Sequence, residues 1–142
     1  MKTPNESVLH KIKQWLIHGD EDLRLAVHAM TLQAGEPPYR LIAYHAQQCA
    51  EKYFKAFLVY CGVDFPYTHN ISTLLELCSE HADWPGELQE AEQLTLYSIT
   101  TRYPGEDEEV TDAEATQAIE IAQRVRNRVR TELKQLGVDL QE

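Results

Sequence analysis

The sequence lacks the patterns of a membrane or secreted protein. Its longest apolar stretch, near residues 56–63, is far shorter than the roughly 20 residues that a membrane-spanning helix needs. The polar residues 1–6 contain no signal-peptide core. The three cysteines, Cys49, Cys61 and Cys78, are odd in number and form no C-x-x-C pair, so we expect buried free thiols rather than disulfides. These absences predict a cytoplasmic protein without a membrane segment.

The sequence also lacks the short motifs of common catalytic and metal sites. It contains no glycine-rich phosphate loop, no G-x-S-x-G and no obvious pair of nucleophile and base. There is no Glu-x-x-His, which excludes the di-iron bundle motif. A zinc set drawn from Cys61, His69, Cys78 and His81 has irregular spacing and no C-x-x-C anchor. We therefore expect no metal, no cofactor and no catalytic residue.

The charge of the chain is unevenly distributed. The 142 residues carry a formal net charge of -10, but residues 1–71 hold seven basic and seven acidic side chains. The whole excess of acid therefore lies in the second half. An acidic surface repels phosphate backbones, so an extended nucleic-acid surface is not expected. A small basic site on this acidic body remains compatible with the composition.

The apolar spacing is helical throughout, and no segment alternates with a period of two. Clusters of glycine and proline divide the chain into helical segments. We predict a first helix over residues 6–33, a second from Pro37-Pro38 to about Tyr60, a short third capped by Thr68 or Asn70, a fourth from Glu87 to Thr101, and a fifth capped by Thr111 or Asp112. The fold class is therefore all-α: a single domain over residues 1–142, an antiparallel up-and-down bundle of about five helices, four main and one short.

Two details of the first helix concern its packing. Its predicted core stripe ends with Val27 and Met30. Gly19 interrupts the helix at a cost of about 1 kcal/mol relative to alanine. That cost points to a kink or to a close contact with a neighbouring helix at this position.

The second helix carries a narrow polar strip between two apolar sectors. The strip consists of His45, Gln48, Lys52 and Lys55, spaced i, i+3, i+7 and i+10. A helix that is apolar over most of its circumference is central in a bundle, so the strip is expected to line a groove. The alternative is a solvated face whose lysine stems lie over apolar neighbours.

Arginine is placed unusually in the second half. Arg102 is the only Lys or Arg between Lys55 and Arg124, and twelve carboxylates lie between Glu76 and Glu114. Arg102 either hydrogen-bonds the last carbonyls of its helix or receives a phosphate or carboxylate. Four further arginines flank the core stripe of the last helix, where they cover a core edge, pair with acids or form a partner interface: Arg124, Arg126, Arg128 and Arg130.

A run of residues in the second helix resembles the HEPN family of small prokaryotic helical proteins. The resemblance rests on the run from Tyr44-His45-Ala46-Gln47-Gln48 to Phe57-Leu58, continues through Gly62, Pro66, Thr68-His69 and Leu74-Leu75, and ends at Arg102-Tyr103-Pro104. It covers about residues 8–136 and implies a helical bundle that forms a homodimer. It also implies frequent pairing with a minimal nucleotidyltransferase in toxin–antitoxin-like modules, and nucleotide binding.

Some branches of this family are metal-independent ribonucleases that use an arginine followed after four to six residues by a histidine. No histidine follows Arg102 within that range. Arg40 and His45 match the spacing, but they lie at the start of the second helix, whereas the family's pair belongs to a later one. A ribonuclease toxin is therefore the alternative to a binding module, and a purely structural dimerisation domain is another.

The resemblance makes the polar strip the best candidate for a ligand site. Ammonium and guanidinium groups suit phosphates, a glutamine gives directional hydrogen bonds, and a tyrosine stacks on a base. The predicted anion- or nucleotide-binding residues are His45, Gln48, Lys52, Lys55, His69, Arg102 and Tyr103.

Overall fold

A computed structural model describes residues 4–98 and 109–140, and within them the chain is helical, with no strand. Within these residues, four α-helices and one 3-10 helix follow one another. They are α1 (Glu6–Ala29), α2 (Tyr39–Cys61), α3 (Ile71–Ser79), the 3-10 helix (Gly86–Tyr97) and α4 (Asp112–Gln135). This confirms the predicted all-α bundle.

Helix α2 lies at the centre of the bundle. It packs along both α1 and α4 and also contacts α3 and the 3-10 helix, whereas α1 and α4 hardly touch each other. Fourteen of its 23 residues are buried, so apolar groups cover most of its circumference. Its largest fully buried side chains are Tyr53, Phe54 and Phe57. Polar residues of α2 must therefore find their partners inside the protein.

The helix ends follow the capping residues in the sequence. Asn70 accepts a hydrogen bond from the Thr73 amide at the start of α3, and Thr111 forms a reciprocal capping box with Glu114 at the start of α4. Helix α2 ends at Gly62, whose φ of 71° is the left-handed conformation that glycine adopts without strain.

Two predicted helices differ from those observed. Helix α1 ends at Ala29 instead of residue 33, because Leu32 has no core to pack on and is 49% exposed. The segment predicted as an α-helix from Glu87 to Thr101 is a 3-10 helix over Gly86–Tyr97; residues beyond 98 lie outside the described part. Its core positions, Leu88, Ala91 and Leu94, recur every three residues, the period of a 3-10 helix.

The three cysteines have no disulfide partners. Cys49 and Cys78 are buried, as predicted, whereas Cys61 is only half-buried. Burial raises the pKa of all three thiols, that of Cys61 to about 11. The thiols therefore remain protonated and unreactive near neutral pH.

Gly19 permits the closest approach of α1 to α2. A Cβ atom at this position would lie 2.9 Å from Cδ2 and Cε2 of Tyr53 and 3.4 Å from the Cys49 carbonyl oxygen. Helix α1 continues through Gly19 without interruption. Of the two alternatives raised by the sequence, the structure thus shows the close contact.

We expect Gly19→Ala to lower the free energy of unfolding by up to about 2 kcal/mol, because core overpacking costs about 1–3 kcal/mol and the better helix propensity of alanine returns only about 1 kcal/mol. Urea denaturation measures the change. Gly86→Ala is the matched control, because its Cβ would meet nothing within 4 Å. Equal stability of the two variants would contradict the packing role of Gly19.

Candidate functional site

Two carboxylates organise the polar strip of α2. Asp22 reaches it from α1, and Glu51 belongs to α2 itself. Each carboxylate binds one lysine and one histidine of the predicted site, so the strip divides into two clusters. We refer to them as the Asp22 cluster (Asp22, His45, Lys52) and the Glu51 cluster (Gln47, Glu51, Lys55, His69).

The Asp22 cluster lies where α1 and α2 meet near the surface. Oδ1 of Asp22 lies 2.8 Å from Nδ1 of His45, and Oδ2 lies 2.5 Å from Nζ of Lys52. The side chains of His45 and Lys52 are 26% and 22% exposed, whereas that of Asp22 is 11% exposed. A nearly buried carboxylate thus holds two partly exposed nitrogen donors in place.

The Glu51 cluster lies deeper. Oε2 of Glu51 accepts a hydrogen bond from Nζ of Lys55 at 2.8 Å, and Oε1 lies 2.8 Å from Nδ1 of His69. Gln47 donates to Oε1 at 3.0 Å and to the His69 carbonyl at 3.2 Å. Side-chain exposure is 3% for Glu51 and 7% for Lys55, but 45% for His69. His69 is therefore the part of this cluster that reaches solvent.

Burial alone would raise the pKa of Glu51, since it penalises the charged form. Hydrogen bonds from Lys55, His69 and Gln47 act in the opposite direction and outweigh burial, so the pKa of Glu51 is below its ordinary value. The Glu51 carboxylate is therefore ionised at neutral pH and balances the ammonium group of Lys55.

Aromatic rings complete the surroundings of Lys55. Its Nζ lies 5.4 Å from the ring centroid of Trp15 and 5.8 Å from that of Phe65. Rings at this distance attract a cation through their quadrupoles. Together with Glu51 they make a buried ammonium group tolerable in the core.

Gln48 extends the Glu51 cluster along α2. It is 8% exposed, and its Nε2 donates to Oε1 of Gln47 at 2.9 Å. The strip is thus not the solvated face considered from the sequence, because both Gln48 and Lys55 are buried.

The structure places five of the seven predicted site residues along one side of α2. His45 and Lys52 share Asp22, Lys55 and His69 share Glu51, and Gln48 joins the second group through Gln47. The remaining two, Arg102 and Tyr103, lie outside the described residues.

The sequence reasoning missed the carboxylates and Gln47. Glu51 was detectable, because it precedes Lys55 by four residues, the spacing of a helical ion pair. Asp22 was not, because it precedes His45 by 23 residues and only the packing of α1 on α2 joins them.

Charge is balanced within each cluster. One carboxylate faces one lysine in both, with an imidazole beside each pair. The strip therefore offers hydrogen-bond donors at fixed positions rather than a large positive potential. It can orient an anion at its surface through Lys52, and through Nε2 of His45 and His69 when these imidazoles carry both protons.

The residues that match the ribonuclease spacing do not converge within the chain. Arg40 and His45 both belong to α2, and a separation of five residues places them about 140° apart around a helix. His45 contacts Asp22 instead. This geometry disfavours a catalytic pair at this position.

The arginines of α4 mostly pair with acids, one of the roles expected from their pattern. Arg124 binds Glu90 at 2.6 Å, Arg126 binds Asp20 at 2.8 Å and Arg128 binds Glu132 at 3.1 Å. Arg130 lies close enough to the Tyr53 hydroxyl to lower its pKa, against the larger effect of burial. In residues 4–98 and 109–140 no group of three or more potential ligands is arranged for a metal ion, and none of the helices found there is long and apolar enough to cross a membrane.

Comparisons with known proteins agree with this architecture. The family profile described as HEPN domain matches residues 12–132. The crystal structure of TT1696 from Thermus thermophilus is 30% identical with a TM-score of 0.75 and covers 87% of this chain and 98% of its own. ST0689, described as an archaeal HEPN homologue, is 29% identical with a TM-score of 0.69, over 86% and 97% of the two chains. No curated protein matches the sequence.

The buried pair in the Glu51 cluster makes a prediction about stability. We expect Glu51→Gln to lower the free energy of unfolding by about 3–5 kcal/mol, because removing one member of a buried ion pair leaves the other charge uncompensated. The double variant Glu51→Leu/Lys55→Met buries no charge and should lose less. Urea denaturation at neutral pH measures both variants, and a larger loss in the double variant would contradict the pairing.

The pH dependence of the free energy of unfolding tests the same ion pair independently. The folded-state pKa of Glu51 is lowered. The ionised carboxylate therefore stabilises the fold above the unfolded-state pKa, and this stabilisation is lost as pH falls through the folded-state pKa. The stability difference between wild type and Glu51→Gln should therefore shrink below about pH 4.3. A difference that stays constant to pH 3 would argue against an ionised Glu51.

Proposed function

The chain belongs to the HEPN family, and from that premise we propose that it is a non-catalytic binding module whose ligand is a nucleotide. The observation that carries this proposal is the anchoring of His45 and Lys52 by Asp22 at 2.8 and 2.5 Å. Both side chains remain partly exposed, although the nearly buried Asp22 carboxylate fixes their positions. Such preorganised donors lose little conformational entropy when they bind a phosphate.

The unused donor capacity of the Asp22 cluster supports a phosphate ligand. Asp22 occupies only Nδ1 of His45, so Nε2 is left for a ligand and donates to it when the imidazole carries both protons. Asp22 also takes one of the three N–H donors of Lys52. A phosphate that receives hydrogen bonds from both side chains would form charge-assisted contacts.

Aromatic surface beside His69 supports recognition of a base. Tyr67 is 94% exposed, and its ring packs edge-on against that of His69 with centroids 5.7 Å apart. An exposed aromatic ring on a polar site offers a stacking surface. In this proposal Tyr67 shares that role with Tyr103, and Arg102 adds a guanidinium for phosphate.

The buried members of the strip have a positioning role in this proposal. Lys55 and Gln48 do not reach the surface, but through Glu51 and Gln47 they belong to the network that holds His69. Their substitution would therefore act through the orientation of His69.

Titration with ATP and GTP, followed by amide NMR shifts, tests the ligand. We expect saturable shifts at His45, Lys52 and His69, and we expect Lys52→Met to weaken binding by at least about tenfold, or about 1.4 kcal/mol. Lys11→Met, at an exposed lysine of α1, is the matched control and should bind like wild type. No shifts at millimolar nucleotide would refute the proposal, and RNA cleavage lost in His45→Ala would favour a ribonuclease instead.

The proposal also includes a homodimer and a minimal nucleotidyltransferase partner in a toxin–antitoxin-like pair, since family membership implies both. We expect a nucleotidyltransferase encoded beside this gene to co-elute with the protein after co-expression, with a mass by light scattering that contains two copies of this chain. An unrelated nucleotidyltransferase serves as the control. Separate elution of the two proteins would contradict the pairing.

A further inference from the structure

A long groove lies between α1 and α4, on the opposite side of α1 from the Asp22 cluster. It exists because both helices pack on α2 but hardly touch each other. We call it the α1–α4 groove and define it by six residues along its length: Lys13, Ile17, Asp20, Arg24, Arg126 and Arg130. Two adjoining cavities of about 500 and 520 Å³ make up the groove, and both are lined by Asp20 and Arg126.

The middle of the groove is rigidly built. Asp20 accepts hydrogen bonds from the Tyr53 hydroxyl of α2 and, at 2.8 Å, from Nε of Arg126. Tyr53 is fully buried and packs against Gly19. The three elements that form the groove are therefore tied together at this point.

The groove is basic although the protein is acidic. Lys13, Arg24, Arg126 and Arg130 line it, against the single carboxylate of Asp20, whereas the whole chain carries a net charge of -10. A basic lining of this kind attracts an acidic ligand.

Apolar side chains accompany these charges. Ile17 is 56% exposed and Val27 42% exposed, although the sequence pattern assigns Val27 to the core stripe. Leu16, Leu23 and Leu140 also contribute to the cavity walls. A small phosphate ligand would leave these apolar groups uncovered, whereas an amphipathic peptide would bury them.

The length of the groove fits a helix. Its α1 side extends from Lys13 to His28, which corresponds to about 22 Å at 1.5 Å per residue. A ligand helix of about 18 residues, about 27 Å long, spans this length. Lying between two helices, it would place apolar anchors at i, i+3 and i+7 on the cavity walls and acidic residues beside the basic rims.

We propose that the α1–α4 groove binds an acidic amphipathic helix of a partner protein. The proposal does not depend on the nucleotide site, because the two surfaces share no residue. Basic charge on both helices and exposed apolar side chains between them support this ligand over a nucleic acid, which would not use the apolar anchors.

A synthetic peptide tests the proposal. The probe is a fluorescein-labelled peptide of 18 residues with leucine at i, i+3, i+4 and i+7 and glutamate at the flanking positions; its partner peptide has lysine in place of glutamate. We expect fluorescence anisotropy to show binding of the acidic peptide only, with an affinity that falls as salt rises.

Substitutions on α1 locate the peptide. Ile17→Asp is expected to weaken binding of the acidic peptide by at least about tenfold, because it removes an apolar anchor and adds a like charge; Arg24→Glu should act in the same direction. Leu25→Asp is the matched control, since Leu25 is 52% exposed on the same helix but does not line the groove. Circular dichroism verifies that all three variants are folded.

Four outcomes of the binding measurements would overturn the proposal. They are absence of binding by the acidic peptide up to about 100 µM (about -5.5 kcal/mol), equal binding of the lysine peptide, equal effects of Ile17→Asp and Leu25→Asp, and displacement of the peptide by a single-stranded RNA oligonucleotide. Light scattering tests whether a second copy of the chain occupies the groove instead. A dimer of the wild type that is lost in Ile17→Asp would assign the groove to that second copy and would also contradict the proposal. Nucleotide-induced shifts at Lys52 report separately on the nucleotide site.

Discussion

The structure depends on the burial of charged and amide side chains inside a helix that is central to the bundle. The side chains of Glu51 and Lys55 are 3% and 7% exposed, and charges in such a position must be paired and hydrogen-bonded. Both members of this pair belong to α2, so the two charges neutralise each other within one helix. The neighbouring elements then have to satisfy the remaining donors and acceptors.

That requirement determines where the neighbours make polar contacts. The segment before α3 brings His69 to Glu51 and offers its carbonyl to Gln47. Helix α1 contributes Asp22, which neutralises Lys52. A buried polar network is favourable only when every donor and acceptor has a hydrogen-bond partner. The polar strip therefore restricts where α1 and residue 69 can lie more strongly than apolar packing alone would.

Much of the fold follows from local signals in the sequence, and less of the site does. Helical apolar spacing and a cap at Thr68 or Asn70 predict a short third helix, and α3 is observed with Asn70 as its cap. Glu51 is also readable, because it lies one turn from Lys55.

Long-range packing decides the features that the sequence could not predict. Asp22 reaches His45 and Lys52 only because α1 packs on α2, and no local pattern encodes that register. Val27 has the spacing of a core residue yet is 42% exposed, because it lies in the open cavity between α1 and α4. Local spacing indicates which residues are apolar on one face, but not which faces acquire a neighbour.

Asp20 and Asp22 show how one short segment of α1 separates two surfaces. Residues two apart on a helix project about 200° from each other, and Gly19, Leu23 and Ala26 form the buried seam between them. Asp20 therefore turns to Arg126 and Tyr53, and Asp22 turns to His45 and Lys52. Each carboxylate neutralises cations on its own side, and the seam on α2 keeps the two networks apart. Helix α2 supplies a partner to each carboxylate, Tyr53 to Asp20 and Lys52 to Asp22, so two consecutive residues of the central helix serve the two surfaces.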